Sequence, residues 1–313
     1  MSKIKVEEIQ YGSFGKCLSV NNGMMEMVIT IDVGPRIIRY ALPGRQNILF
    51  EDAERQICQK GSAMNEVFGK DAAWYIYGGH RLWISPEAMP HSYYPDNDPV
   101  EYEVFESGVT LFADPQRVND VAYTVDLSFC EDSSRVEVCH FITNVGEKTQ
   151  TFAPWALTVL GAGGLEVIPM PDRKTGLLAN RVLSLWDYTS MSDPRVYFGS
   201  RFITLRQDQK NENAFKLGIN NEKGWAAYFA NDDLFLKSYR PSEDGCYPDY
   251  GVSFETYTNN HFLEMETLGE LGPVSSGSTT VHRETWQLFD GIACPGAQDE
   301  TAIENTVENY LTV

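Results

Sequence analysis

The sequence predicts an all-β fold, an antiparallel sandwich or barrel built from many short strands. Apolar and polar residues alternate with a period of two over short segments that Gly, Pro, Asp and Ser separate. These segments follow one another too closely to leave room for crossover helices, which argues against βαβ units. No GxGxxG follows a strand and no GxxxxGK[ST] occurs, so nucleotide-binding folds have no support.

In the first half of the chain, Gly34-Pro35 ends the first strand and residues 42–45 form a turn. Residues 130–134 have the length of a hairpin loop between the last two strands of this half. The extended segments predicted in this half are 24–31, 36–40, 47–50, 102–105, 109–113, 121–129 and 135–143.

The second half repeats the pattern, with strands predicted at 202–206, 214–219, 224–229, 234–239, 253–258, 262–267 and 279–288. Helical spacing occurs at the C-terminus, where Ile303, Val307 and Tyr310 recur after Asp299-Glu300. A second short helix is expected within residues 51–75, around 53–59, and residues 161–164 mark a mid-chain loop. Because no long hydrophilic linker divides the chain, we expect one domain spanning residues 1–313.

Composition narrows the possible partners. The 313 residues are 42% hydrophobic and 22% charged, as in globular proteins, which excludes a disordered chain. A formal net charge of −19 argues against nucleic acid and anionic membrane as partners. No run approaches the roughly 20 apolar residues of a membrane span, and the N-terminus has no signal-peptide core. Six scattered cysteines without zinc spacing indicate buried, reduced thiols in a cytoplasmic protein.

Two segments carry candidate chemistry. Paired glycines precede His80, and they could either leave space for a ligand or mark a structural bend with a bonded histidine. Alternation puts Glu264 and Glu266 on one face of a strand, about 6.6 Å apart, with Leu263 and Met265 on the other. Repulsion between the two carboxylates could raise the pKa of one of them, which would make it a better base. Alternatively, both could belong to a solvated outer face.

Several further segments combine rings with charges, which suits a polyhydroxylated ligand but is equally typical of a core or a surface. They surround Trp155, Trp186, Lys216, Lys237 and Asp249. A nucleophile elbow and a zincin site lack support, since GxSxG and HExxH are absent. The remaining histidines show no mutual metal spacing, and Glu264 and Glu266 point the same way, so they cannot flank a glycosidic bond. A carboxylate-metal site using Glu264, Glu266 and His80 stays open as an alternative, but their spacing gives it no support, and we expect no metal and no cofactor.

The order of these segments resembles that of galactose mutarotase-like (aldose 1-epimerase-like) proteins over roughly residues 20–290. The resemblance rests on residues 34–38 and 44–49, Gly78-Gly79-His80-Arg81-Leu82-Trp83, the Asn144 turn before Pro154-Trp155, residues 263–267 and residues 281–286. It is nearest to an uncharacterised bacterial branch of the superfamily. It implies a β-supersandwich of two large antiparallel sheets, with a sugar cleft on a concave face and the short C-terminal helix predicted above.

The resemblance also implies roles for individual residues. Glu266 matches the glutamate that takes the anomeric proton, with Glu264 as the alternative, and His80 matches a substrate-orienting histidine. The acid histidine of the family has no counterpart, because Pro154-Trp155-Ala156 stands where it should follow the Asn144 turn. The catalytic candidates are therefore Glu266, His80 and Glu264, and the substrate-binding candidates are Arg36, Arg81, Trp83, Trp155, Lys216, Lys237 and Asp249.

Three functions remain open from the sequence. The first is an aldose 1-epimerase-like isomerase that moves protons at the anomeric centre of a small carbohydrate. The second is a non-catalytic sugar-binding protein that has lost the acid histidine, and the third is an interaction scaffold.

Overall fold

Strands dominate the computed structural model, which describes residues 3–311. The strands of the first half are β1 (Lys5–Gln10), β2 (Lys16–Asn21), β3 (Glu26–Thr30), β4 (Ile37–Ala41), β5 (Cys58–Lys60), β6 (Ala73–Tyr75), β7 (His80–Ser85), β8 (Glu101–Phe105), β9 (Gly108–Phe112), β10 (Val121–Phe129), β11 (Val136–Asn144) and β12 (Gln150–Leu160). Those that follow are β13 (Leu165–Pro169), β14 (Leu183–Leu185), β15 (Val196–Phe198), β16 (Phe202–Arg206), β17 (Phe215–Ile219), β18 (Trp225–Ala230), β19 (Asp233–Tyr239), β20 (Phe254–Thr258), β21 (Leu263–Leu268), β22 (Gly272–Val274) and β23 (Thr279–Asp290). The helices are α1 (Ser62–Phe68), α2 (Pro248–Gly251) and α3 (Glu300–Val307), with short 3₁₀ turns at Gly12–Phe14 and His91–Tyr93.

Two large antiparallel sheets contain almost all of these strands. Sheet A has 11 strands in the order β1-β2-β3-β4-β7-β12-β21-β20-β17-β14, with β22 also paired to β12. Sheet B has 10 strands in the order β15-β16-β13-β18-β19-β23-β11-β10-β9-β8. A separate two-stranded sheet joins β5 and β6. The predicted all-β supersandwich is confirmed.

The largest apolar cluster lies between the two sheets. Leu263 and Met265 of β21 contribute to it from sheet A, and Val138 and Trp286 contribute from sheet B. The outer face of sheet A carries a second apolar cluster around Trp83, Trp155 and Leu157. Because both of its faces are covered, β21 is buried along its whole length, and it lies between β12 and β20 in the interior of sheet A.

The hairpin predicted around residues 130–134 is confirmed, since β10 and β11 pair from Val121 opposite Asn144 to Phe129 opposite Val136. The C-terminal helix is confirmed as α3. The Asp299 side chain accepts a hydrogen bond from the Ala302 amide at 3.0 Å, so it caps the helix. Ile303 and Val307 then pack against apolar side chains on the outer face of sheet B.

The short helix expected within residues 51–75 is present as α1, but its placement around 53–59 is wrong. The Asp52 carboxylate accepts hydrogen bonds from the amides of Gln56 and Ile57, which holds this segment as a loop, and the helix α1 begins only at Ser62. Residues 161–164 are a tight turn between β12 and β13, and residues 47–50 contribute an isolated bridge rather than a strand.

Gly78 and Gly79 leave room for neighbouring backbone and not for a ligand. Both have positive φ, and a Cβ at these positions would lie 2.1 Å from the Phe50 carbonyl oxygen and 2.0 Å from that of Ile37. The suggestion that the glycines admit a ligand is therefore wrong.

The six cysteines are all free, but the expectation that they are buried holds for Cys17 and fails for Cys130, Cys246 and Cys294, which are exposed. Between residues 3 and 311, no helix combines the length and apolar character needed to traverse a bilayer.

Candidate functional site on the outer face of sheet A

The alternation of β7 sends His80 and Arg81 to opposite sides of sheet A. His80 lies opposite Thr158 of β12, which in turn lies opposite Met265 of β21, and Met265 belongs to the core between the sheets. Arg81 therefore belongs to the outer face, where its guanidinium forms an ion pair with Glu264 at 2.9 Å. Its central carbon lies 4.3 Å from the ring centroid of Trp83.

Glu264 and Glu266 point to this same outer face, as the sequence predicts. They are 7% and 0% exposed, so the alternative of a solvated outer face is excluded. Burial raises the pKa of Glu264, while the adjacent Arg81 opposes that shift. Glu266 accepts a hydrogen bond from the Trp155 indole N–H at Oε2, at 2.8 Å.

A buried lysine, Lys216, lies between the carboxyl groups of Glu255 and Glu266. The Lys216 ammonium is 2.8 Å from Glu255 Oε2 and 3.1 Å from Glu266 Oε2. The Trp155 and Trp186 rings also face it, with centroids 4.6 and 4.7 Å from Nζ. Burial alone would lower the pKa of Lys216, but the carboxylates outweigh that effect and raise it, so Lys216 is a permanent cation.

An open cavity of about 460 Å³ lies over these charged side chains of sheet A, which we call the floor of the cavity. Its volume is within the range of small-molecule sites. Aromatic rings, a cation and carboxyl groups converge on it from strands and from the loops that follow β7 and β14. The lining residues are Pro86, Glu87, Met89, Tyr93, Trp155, Trp186, Lys216, Asp249 and Glu255.

Glu255 belongs to this site although it is not predicted from the sequence. The signal that could have found it is the short connection between β20 and β21, which makes Glu255 the direct partner of Glu266. When that register is not known, nothing in the sequence distinguishes Glu255 from any other acidic residue in a strand. Burial raises the pKa of Glu255 well above its usual range, and the charge of Glu266 adds to the shift, although Lys216 opposes it.

His80 and Lys237 lie between the sheets, so their expected place on the cleft face is wrong. Lys237 comes from sheet B, and its ammonium contacts Glu284 Oε1 at 2.9 Å and Thr158 Oγ1 at 2.8 Å. His80 Nδ1 also contacts Thr158 Oγ1, at 2.9 Å, and His80 Nε2 contacts His140 Nε2 at 2.7 Å. Burial lowers the pKa of both imidazoles, which keeps them neutral.

Hydrogen-bond geometry fixes the direction of this interior network. His140 Nδ1 faces the His282 carbonyl at 3.1 Å, so Nδ1 must donate and Nε2 must accept from His80. His80 Nδ1 then accepts from the Thr158 hydroxyl, which accepts from Lys237. The two histidines and Glu284 lie close enough to hold a metal. However, the Lys237 ammonium shares the Glu284 carboxylate, and its charge opposes a cation there.

Arg36 also departs from the predicted face. It is 2% exposed and forms a bidentate pair with Asp96, at 2.6 and 3.0 Å. It lines a separate, narrow cavity of about 40 Å³ that His80 and Tyr123 also line. Asp249, in contrast, lies at the rim of the outer-face cavity, with a backbone φ of 50°. The residues that meet on the outer face are therefore Arg81, Trp83, Trp155, Lys216, Asp249, Glu255, Glu264 and Glu266.

Comparison with known proteins identifies the fold. No protein-family model matches the sequence, and no curated protein matches it. Among solved structures, a TPR-domain containing protein from Parabacteroides distasonis superposes with a TM-score of 0.59 and 11% identity over 88% of this chain, which spans only 47% of that protein. A candidate mutarotase, YeaD, from Salmonella typhimurium gives a TM-score of 0.58 at 9% identity, with 91% and 94% of the two chains covered.

A galactose mutarotase-like protein from Lactobacillus casei gives a TM-score of 0.51 at 10% identity, covering 87% of this chain and all of that one. The resemblance inferred from the sequence is confirmed at the level of the fold. At such low identity the similarity extends to architecture and leaves activity to the chemistry of the site.

Proposed function

We propose that the cavity on the outer face of sheet A binds a small carbohydrate. The observation that carries this proposal is the convergence of Trp155, Trp186 and Tyr93 with Lys216 and Glu255 around one open cavity. Indole and phenol faces pack against the C–H faces of a sugar ring, and the charged groups hydrogen-bond to its hydroxyls. The relatives named as mutarotases and mutarotase-like proteins share the architecture and support a sugar ligand.

The proposed reaction is proton transfer at the anomeric centre of an aldose. A carboxylate takes the proton of the anomeric hydroxyl, the bond from the anomeric carbon to the ring oxygen breaks, and that oxygen gains a proton as the carbonyl forms. Rotation and ring closure from the opposite face give the other anomer. Lys216 would stabilise negative charge as it develops on the sugar oxygens, and Glu266 is the carboxylate that the family resemblance supports as base.

A cytoplasmic location is part of the proposal, supported by six free thiols. The net charge of −19 supports a partner other than nucleic acid or anionic membrane.

The test combines binding with turnover. Titration of glucose, galactose and other hexoses, followed by ligand-observed NMR, measures binding, and exchange spectroscopy measures interconversion of the two anomers. We expect acceleration by the wild-type protein and a loss of at least about 100-fold in Glu266→Gln. Glu137→Gln is a matched control, since that side chain is 61% exposed on β11 of sheet B. Binding of no sugar at all would contradict the proposal and favour a scaffold.

A non-catalytic sugar-binding protein is the second candidate. It is favoured by the burial of Glu266, whose Oε2 is already occupied by the Trp155 N–H and the Lys216 ammonium. A sugar hydroxyl can reach this oxygen only after it displaces one of these two donors. Binding without acceleration of anomer exchange would select this candidate.

A further inference from the structure

Two carboxyl groups share one cation on the floor of the cavity. Glu255 and Glu266 are direct cross-strand partners on β20 and β21, and the Lys216 ammonium contacts Oε2 of each. The other oxygen of each carboxyl group, Oε1, is buried without a hydrogen-bond partner from the protein. Each carboxyl group is therefore held by the cation at one oxygen and has no hydrogen-bond partner at the other.

The two groups differ in what else surrounds them. Glu266 is fixed by the Trp155 N–H in addition to Lys216, and it does not line the cavity. Glu255 has no indole donor and does line the cavity. A sugar oxygen that enters the cavity beside Lys216 would therefore meet Glu255 before Glu266.

The balance of charge on the floor of the cavity favours a proton that stays bound to one of the buried carboxyl groups. Among residues 3–311, the ion pairs of three buried carboxyl groups, those of Glu255, Glu264 and Glu266, are made with two cations, Arg81 and Lys216. Arg81 is committed to Glu264, so Lys216 must serve the other two. Asp249 adds a further negative charge near Glu255. One cation beside two carboxyl groups favours a proton retained on one of them, and burial raises the pKa of Glu255 in the same direction.

We propose that Glu255 is a neutral carboxylic acid that donates its proton to an oxygen of the bound sugar. This inference rests on the proposed carbohydrate function and supplies the donor that the missing acid histidine leaves open. In the epimerase reaction, the Glu255 O–H bond breaks as the ring oxygen takes the proton. Glu266 takes the proton of the anomeric hydroxyl once that hydroxyl displaces the Trp155 N–H or the Lys216 ammonium from Oε2. When the ring closes, both protons return and the two carboxyl groups regain their starting states.

The kinetic test compares Glu255→Gln with the wild-type protein. Glutamine keeps the shape of the side chain but has no transferable proton, so we expect anomer exchange to fall at least about 100-fold while sugar binding changes only a few-fold. Glu255→Asp, which restores an acid, should recover part of the rate. The wild-type rate should decline as pH rises through the pKa of Glu255, and the residual rate of Glu255→Gln should lack that decline. Equal rates for Glu255→Gln and wild type would overturn the inference.

A second measurement decides the inference even if the proposed catalysis fails. In protein carrying ¹³C-labelled glutamate carboxyls, the resonance absent from Glu255→Gln identifies Glu255, and its pH titration reports the ionisation directly. Titration well above the ordinary value of about 4.3, with a further shift when galactose or glucose binds, would support a neutral donor to sugar. Titration near the ordinary value, or no response to a sugar that binds, would refute it. If a sugar binds but its anomers do not exchange, the epimerase reaction is rejected. The titration of Glu255 then still decides whether this residue is a neutral donor to the sugar.

Discussion

Replacing Lys237 by methionine should test the interior network that joins the two sheets. The Lys237 ammonium contacts the Glu284 carboxylate at 2.9 Å, and neither side chain is exposed. It also donates to Thr158 Oγ1 and to the Met265 carbonyl. Removing one partner of a buried ion pair leaves an uncompensated charge and costs about 3–5 kcal/mol. At about 2–4 °C per kcal/mol, that loss lowers Tm by roughly 6–20 °C.

The pH should change how much stability the replacement of Lys237 by methionine costs. Burial would raise the pKa of Glu284, but Lys237 outweighs it and holds the pKa well below its usual range. The pair therefore stabilises the wild-type fold above the unfolded-state pKa of about 4.3, and this contribution is lost as pH falls further. In Lys237→Met, Glu284 keeps its hydrogen bonds from Thr267 and Trp286 but has lost its cation. It can then protonate, so the stability difference between the two proteins should shrink towards pH 4.

Urea unfolding followed by tryptophan fluorescence at several pH values measures both effects. The double variant Lys237→Met/Glu284→Gln should recover about 2 kcal/mol, because no buried charge remains unpaired. Lys223→Met is the matched control, since Lys223 pairs with Asp172 at the surface and its side chain is 41% exposed. A cost below about 1 kcal/mol for Lys237→Met, or a cost independent of pH, would refute this account.

Three further predictions concern the two faces of sheet A. His80→Phe should lower the urea midpoint but leave anomer exchange per folded molecule within twofold of wild type, because the imidazole faces the interior; a large rate loss would contradict this placement. Trp155→Phe removes the N–H donor that orients the Glu266 carboxyl group, a hydrogen bond to a charged group worth about 1.5–3 kcal/mol. Because a base must be held in position, exchange followed by NMR should fall roughly 10- to 100-fold; a faster rate would show instead that the donor blocks Oε2. Burial lowers the pKa of His282 to about 3 and also lowers that of His140. Thermal unfolding should therefore show stability falling as pH drops below about 6.5, where the unfolded histidines bind protons, and His140→Asn should flatten the slope.

Most strands could be predicted from the sequence because the alternation of apolar and polar residues along a strand is a local property. The face of Glu264 and Glu266 and the hairpin of β10 and β11 both follow from a period of two. The loop at 53–59 was not accessible, because its hydrogen bonds to Asp52 compete with a helix that composition alone would allow.

The membership of the site was accessible only in part. Alternation shows that His80 and Arg81 diverge, but which of them faces the cavity depends on the pairing of β7 with β12 and β21. Lys237 belongs to the other sheet, and Glu255 becomes a neighbour of Glu266 only through the register of β20. These relations join residues far apart in the chain, and local pattern carries no information about them.

The cavity has two kinds of wall with different freedom to change. Its floor is built on adjacent strands, where a one-residue insertion would exchange every side chain between cavity and core. Its rim, which includes Glu87, Met89, Trp186 and Asp249, stands on connecting segments outside the strands. Loops tolerate replacement far better than strands do. Descendants of this protein can therefore acquire new ligand preferences by exchanging rim segments while the charged floor is inherited intact.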